Sequence, residues 1–248
     1  ESILMPIISS CNIACGGHAG DSESMRMVVK LATANNVKIG AHPSFPDKAN
    51  FGRKQMDISC AALYTSIKGQ IDNLMTILEE ENTRLNHVKP HGALYNMASK
   101  DENLASAICN AIIEINPDLQ VYAQSGSALI KVAAGMGLKT CNEVFADRTY
   151  QPDGTLTPRT DKNALLLNEE EVIAHVLQMV QKQTVLANGE EIPVKADTIC
   201  VHGDGEHALN FIKRIHTTGS FHKKDAGCSV APQARRRLCA HGQFVNPR

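Results

Sequence analysis

The sequence carries none of the familiar nucleotide-binding signatures. It has no Gly-x-x-x-x-Gly-Lys-Ser/Thr, and no Gly-x-Gly-x-x-Gly follows a predicted strand, so the chain does not bind ATP by itself in a familiar way. It also lacks a His-Glu-x-x-His helix, which excludes the helix-borne zinc protease pattern. No Asn-x-Ser/Thr occurs, and neither a signal peptide nor an apolar run of membrane-spanning length is visible. Net charge is nearly absent: 25 Lys and Arg against 26 Asp and Glu leave −1, so the whole chain has no bias toward nucleic acid or membrane surfaces. Cysteine is present, with eight residues, but most lie in apolar strand or helix patterns, which fits buried thiols in a reduced, cytoplasmic protein. Cys11 and Cys15 have no second Cys or His pair at zinc-finger spacing, so a structural zinc site is not expected.

At 248 residues and 43% hydrophobic content, the chain can bury a sizeable core, most simply as one α/β domain. Charge is unevenly spread. Residues 213–248 hold eight Lys/Arg and one Asp, or +7, which leaves −8 for residues 1–212. The stretch from Cys11 to Asp21 reads as a strand running into a glycine-rich turn, with Asp21 capping a helix that buries Met25, Val28, Val29 and Ala32. Val37–Ala41 is a short strand. After Asp57, Leu63, Ile67, Ile71, Leu74 and Leu78 recur at helical steps. A strand near Asn86–Lys89 precedes a helix opened by a capping box of Ser99 and Glu102. Strands at Leu119–Ala123, Thr140–Ala146 and Thr198–Val201, with helices before the last two, complete six βα units. The Pro-, Gly- and Thr-rich stretch Thr149–Pro158 is expected to be a loop covering a site.

Polar residues appear where the apolar runs stop: His18 and Asp21, His42, His91, Gln124, Asp147 and Arg148, then His202 and Asp204. Parallel strands place all these ends on one face, where such folds do chemistry. Because the ends are spread over the whole strand set, a barrel-like arrangement is expected rather than an open sheet with one crevice. Two mechanisms stay open at this level. Either two His and an Asp hold a divalent metal that activates water, or Asp and His act as general base and acid without one. Lys89 could stabilise an oxyanion beside His91. Arg148 could clamp a carboxylate or phosphate through two N–H groups. Arg53, after Phe51-Gly52, is a candidate anchor for substrate.

Several blocks together resemble the LamB/YcsF family of lactam-utilisation proteins, identified with the A subunit of bacterial 5-oxoprolinase. They are Asn12-Ile-Ala-Cys-Gly-Gly-His-Ala-Gly-Asp21, Ile39-Gly-Ala-His-Pro43, Phe45-Pro-Asp47, Phe51-Gly-Arg53, Val88-Lys-Pro-His-Gly-Ala-Leu-Tyr-Asn96, Glu143-Val-Phe-Ala-Asp-Arg-Thr-Tyr150, Leu156-Thr-Pro-Arg159 and Val201-His-Gly-Asp204. The resemblance implies a seven-stranded β/α barrel of the glycoside hydrolase and deacetylase type over residues 1–216. It implies the ATP-dependent opening of 5-oxo-L-proline to L-glutamate, performed with the enzyme's B and C subunits, which would use the ATP. On the matching positions it makes His18, Asp21, His42, Lys89, His91 and Asp147 candidate catalytic residues. Asn12, Arg53, Arg148, His202 and Asp204 become candidate substrate-binding residues. Kinship with metal-dependent deacetylases admits a divalent ion at His18, His42 or His91. A stand-alone metal-dependent amidohydrolase and a catalytically impaired remnant are the alternatives. Two departures stand out. The family's usual first strand, Asp-Leu-Asn-x-Asp-Leu-Gly-Glu, is missing, which predicts an open gap with exposed strand edges. Residues 217–248 form a basic tail that matches nothing in the family, and no function is assigned to it.

Overall fold

The computed structural model of the chain describes residues 2–202, 208–217 and 237–241. Its strands are β1 (Ser10–Ala14), β2 (Lys38–His42), β3 (Leu85–Val88), β4 (Gln120–Gln124), β5 (Lys139–Phe145), β6 (Thr184–Ala187), β7 (Glu190–Pro193), β8 (Thr198–His202) and β9 (Arg237–His241). The helices are α1 (Ser22–Ala34), α2 (Cys60–Glu80), α3 (Gly92–Ala98), α4 (Glu102–Ile115), α5 (Ala128–Gly135), α6 (Glu169–Leu177) and α7 (Ala208–Thr217).

Six strands, β1-β2-β3-β4-β5-β8, form a curled parallel sheet in sequence order, each joined to the next through at least one helix. Such crossovers are obligatory, because a tight turn can only reverse the chain. The strands are covered on both faces, so they are buried along nearly their whole length; in β1 every residue is buried. The helices supply the outer half of the core. In α2, Leu63, Ile67, Ile71, Leu74 and Leu78 point inward at steps of three and four and are at most 1% exposed. Neighbouring helices then pack in turn: α1 on α2, α2 on α4, α4 on α5, and α6 on α7.

Two local expectations are corrected. Ser99 does not open α4; it ends α3, its hydroxyl donating to the carbonyl of Asn96. The cap of α4 is Asp101, whose carboxylate accepts from the N–H groups of both Asn103 and Leu104. An ionised acceptor serving two donors outcompetes a hydroxyl that serves one. A gap beside β1 is not seen either. β9 pairs in parallel with both β1 and β8, so five residues of the basic tail close the circle of strands. The sequence reading also passed over the hairpin β6-β7, although Asn188-Gly189 announces it: both residues take positive φ, 50° and 86°.

Inside the ring of strands, His87 on β3 bonds Asn12 on β1, Nε2 to Oδ1 at 2.9 Å, and stacks on Tyr122 of β4. Gly40 of β2 makes room for that ring: a Cβ there would lie 2.1 Å from His87 Nε2. Asn12 is therefore an interior strut of the sheet, and it does not border the cavity described next.

Candidate active site

The carboxyl ends of the strands surround a cavity of about 510 Å³. His18 reaches it from the turn after β1, His42 from the end of β2, Lys89 and His91 from the segment after β3, Arg148 from beyond β5, and His202 from the end of β8. Glycines let these turns come close. Gly20 has φ +89°, and a Cβ there would sit 2.2 Å from the carbonyl oxygen of Ala14. Gly92, at φ +57°, is packed so tightly on Gly52 that its Cβ would meet that carbonyl oxygen at 2.4 Å. This contact docks the loop carrying Phe51 and Arg53 onto the start of α3, where Ala93 N–H donates to Gly52 C=O at 2.9 Å.

Three histidines form one wall. His91 stacks on His18 with ring centroids 3.7 Å apart and 8° between planes, while His42 meets both edge-on. A chain of contacts runs from Lys89 C=O to His42 Nδ1 (2.7 Å), from His42 Nε2 to His91 Nδ1 (3.0 Å), and from His91 Nε2 to Phe51 C=O (3.0 Å). Both ends are carbonyls, which only accept, so three contacts call for three N–H groups where two neutral rings supply two. The surroundings nevertheless favour neutral rings. Burial, then the charges of His91 and Arg53, hold His18 down at about 3. Burial also holds His91 at about 4, with Arg53, Lys89 and His202 acting in the same direction against its bond to Phe51. His42 is lowered strongly, first by burial and then by its two histidine neighbours.

Beside this wall lies an ion pair from which water is excluded. Lys89 Nζ donates to Glu143 Oε1 at 2.6 Å, and the two side chains are 2% and 0% exposed. The other carboxylate oxygen accepts from the Tyr95 hydroxyl at 2.9 Å. The ammonium also lies over the rings of Tyr95 and Phe145 and 3.5 Å from Cys200 Sγ. Burial, then the Glu143 charge, pushes the Tyr95 phenol well above its ordinary range, so it remains a donor. A buried pair of this kind is weak evidence for stability, and its Lys89 member borders the cavity.

Asp147 holds His202, with Nδ1 2.8 Å from Oδ2 and 3.0 Å from Oδ1. Burial pushes the Asp147 carboxyl up, but the charge and hydrogen bond of His202 outweigh that and leave it below its ordinary value. The pair is a carboxylate-oriented imidazole, suited to general base work.

The remaining candidates divide. Arg53 borders the cavity with its guanidinium over the Phe51 ring. Arg148 also borders it, but its Nε donates to Ala164 C=O and its terminal nitrogen to Thr157 C=O, so it straps the following loop together. Burial, then the nearby charge of Arg159, lowers Arg148 to about 10. Asp21 stays outside the cavity: it is exposed and caps α1, accepting from Ser24 N–H at 2.8 Å. Asp204 lies outside the described residues. Sequence reasoning did not pick out Glu143, Tyr95 or Arg159. Glu143 is an acid inside an otherwise apolar strand, a signal that was there to be read; nothing in the spacing marks the other two.

The three histidines do not make a metal-ligand set as they stand, because the nitrogens of His42 and His91 face each other and two carbonyls. Among the described residues, no three His, Cys, Asp or Glu side chains are grouped so as to hold an ion. No step below is routed through one.

Polar groups gather at the carboxyl ends of a curled parallel sheet, around a cavity of about 510 Å³, the place where α/β proteins carry their sites. A profile of the LamB/YcsF family matches residues 1–236, and the chain belongs to that family. It is 51% identical over 210 residues to the 5-oxoprolinase A subunit of Halalkalibacterium halodurans, covering 84% of this chain and 82% of the relative. To the Bacillus cereus protein of the same name it is 50% identical over 217 residues, covering 87% and 86%. The crystal structure of the lactam utilization protein from Thermus thermophilus superposes with a TM-score of 0.80 at 36% identity, covering 86% of each chain.

Proposed function

We propose that the chain is the A subunit of an ATP-dependent 5-oxoprolinase, hydrolysing the lactam of 5-oxo-L-proline to give L-glutamate together with the B and C subunits in the cytoplasm. The observation that carries this reading is a cavity of about 510 Å³ bordered by both Lys89 and His202, the latter held by Asp147 at 2.8 Å. In the reading, Asp147 accepts from His202 Nδ1–H, which makes Nε2 the basic nitrogen. Nε2 takes a proton from water as the water oxygen bonds to the lactam carbonyl. Lys89, fixed by Glu143, stabilises the oxyanion. The C–N bond then breaks, and the ring nitrogen receives the proton from His202. The partners would couple ATP hydrolysis to this ring opening, with ADP and phosphate as its products, in keeping with the missing nucleotide motifs. The circle of strands closed by β9 is read as the family's seven-stranded barrel, and the six described free cysteines suit a reducing compartment.

The test is glutamate formation from 5-oxo-L-proline by the chain with the B and C subunits and ATP, and with each omitted. Asp147→Asn is expected to lower kcat by about 10²–10⁴ with the fold intact. Turnover without ATP or partners would instead favour a stand-alone amidohydrolase.

A further inference from the structure

The cavity is one-sided in charge. Lys89, Arg53, Arg148, Arg159 and four histidines border it, and among the described residues no Asp or Glu does. All of them lie within residues 1–212, a stretch whose net charge is −8, so the lining reverses the average of the chain around it. A cleft of one sign with low-dielectric walls concentrates ligands of the opposite sign.

The four permanent cations differ in what holds them. Lys89 is paired with Glu143, and Arg148 bonds the carbonyls of Thr157 and Ala164. Arg53 and Arg159 are exposed and come from different loops. Arg53 follows Phe51-Gly52, in the loop docked on the start of α3, and Arg159 follows Thr157, in the loop strapped by Arg148. Arg159 makes no ion pair with a described residue. Its loop is nonetheless fixed: Asp161 N–H donates to Pro158 C=O at 2.9 Å, Thr157 N–H to Thr149 C=O at 3.0 Å, and the Arg148 strap crosses beneath.

We infer that Arg159 is the specificity-determining residue of this site, receiving the carboxylate of a small anionic ligand in a cavity that Arg53 also borders. A guanidinium offers two parallel N–H groups that match a carboxylate, and a fixed loop presents them without reordering. The lactam part of that ligand rests on the function proposed above; the anionic part rests on the lining alone.

The experiment is calorimetric titration of the full chain with 5-oxo-L-proline, with L-glutamate, and with 2-pyrrolidinone, the same ring without the carboxylate. The wild type is expected to bind 5-oxo-L-proline at least about tenfold more tightly than 2-pyrrolidinone. Arg159→Gln should remove most of that difference by weakening 5-oxo-L-proline alone, and Arg159→Lys should restore part of it. Because Arg159 is exposed, both variants should keep the wild-type melting temperature, which reports folding separately. Equal binding of the two lactams, or an Arg159→Gln variant that binds 5-oxo-L-proline as the wild type does, would overturn the inference. If L-glutamate binds and depends on Arg159 while neither lactam binds, the anion site stands and the lactam reading falls.

Discussion

Glu143→Gln would remove one charge from a place where water cannot replace it. The Lys89 and Glu143 side chains are 2% and 0% exposed, and 2.6 Å separates Nζ from Oε1. Glutamine keeps the volume and one acceptor oxygen, so the change removes the charge and turns the second acceptor into a donor. Leaving one partner of a buried pair costs about 3–5 kcal/mol. There is a second way to relieve the strain, which is for Lys89 to release its proton. From an ordinary lysine value near 10.4, at 1.36 kcal/mol per unit, release costs about 4.6 kcal/mol at pH 7 and about 1.9 at pH 9. That cost is a ceiling on the damage, and it falls as pH rises. The sign follows from linkage: in the variant the folded state binds the Lys89 proton less well than the unfolded state, so raising pH through this window favours folding. Urea unfolding of wild type and Glu143→Gln at pH 7 and pH 9 reads this directly. The variant's deficit should shrink by up to about 2.7 kcal/mol, and Glu143→Gln combined with Lys89→Met should be more stable than Glu143→Gln alone. An equal deficit at both pH values, with no recovery in the double variant, would refute the reasoning.

The histidine wall predicts the opposite end of the pH scale. His18 at about 3 and His91 at about 4 sit below their unfolded value, so the stability they lend is complete above about pH 6.5 and is lost as pH falls. At pH 5 each ring removes about 2 kcal/mol, and His91→Gln should flatten the fall in urea midpoint between pH 7.5 and 5; an unchanged slope would argue against buried neutral rings. Gly92→Ala should destabilise well beyond Gly126→Ala. Both have positive φ, but only Gly92 meets backbone, the carbonyl of Gly52 at 2.4 Å, whereas nothing lies within 4 Å at Gly126; equal melting temperatures would contradict the docking described. Arg148→Met should leave the strands paired while exposing 149–166 to limited proteolysis, and a loop as resistant as the wild type would show that the strap is dispensable.

The strand ends were readable because a parallel strand buried on both faces is an apolar run, and the residue where the run stops has to face the site. His18, His42, His91 and His202 were found in that way and do share one cavity. Helix α2 declared itself by period alone. What sequence could not give was the partner of each group. Asp21 and Asp147 look alike as strand-end acids, yet one caps a helix and the other holds an imidazole, because only the second faces another strand end. Glu143 was missed for a related reason: its partners Lys89 and Tyr95 lie 54 and 48 residues away. The closing pairs of β9 with β1 and β8 likewise follow from no local pattern.

The Arg148 strap has a kinetic consequence. One guanidinium ties Thr157 to Ala164, and Tyr150 pairs with Leu156 ahead of them, so a long excursion is divided into short closed segments. Ordering entropy that a free loop would lose when a ligand arrives is lost here during folding. Ligand capture should then be limited by the approach of charge to charge. Added salt would slow it.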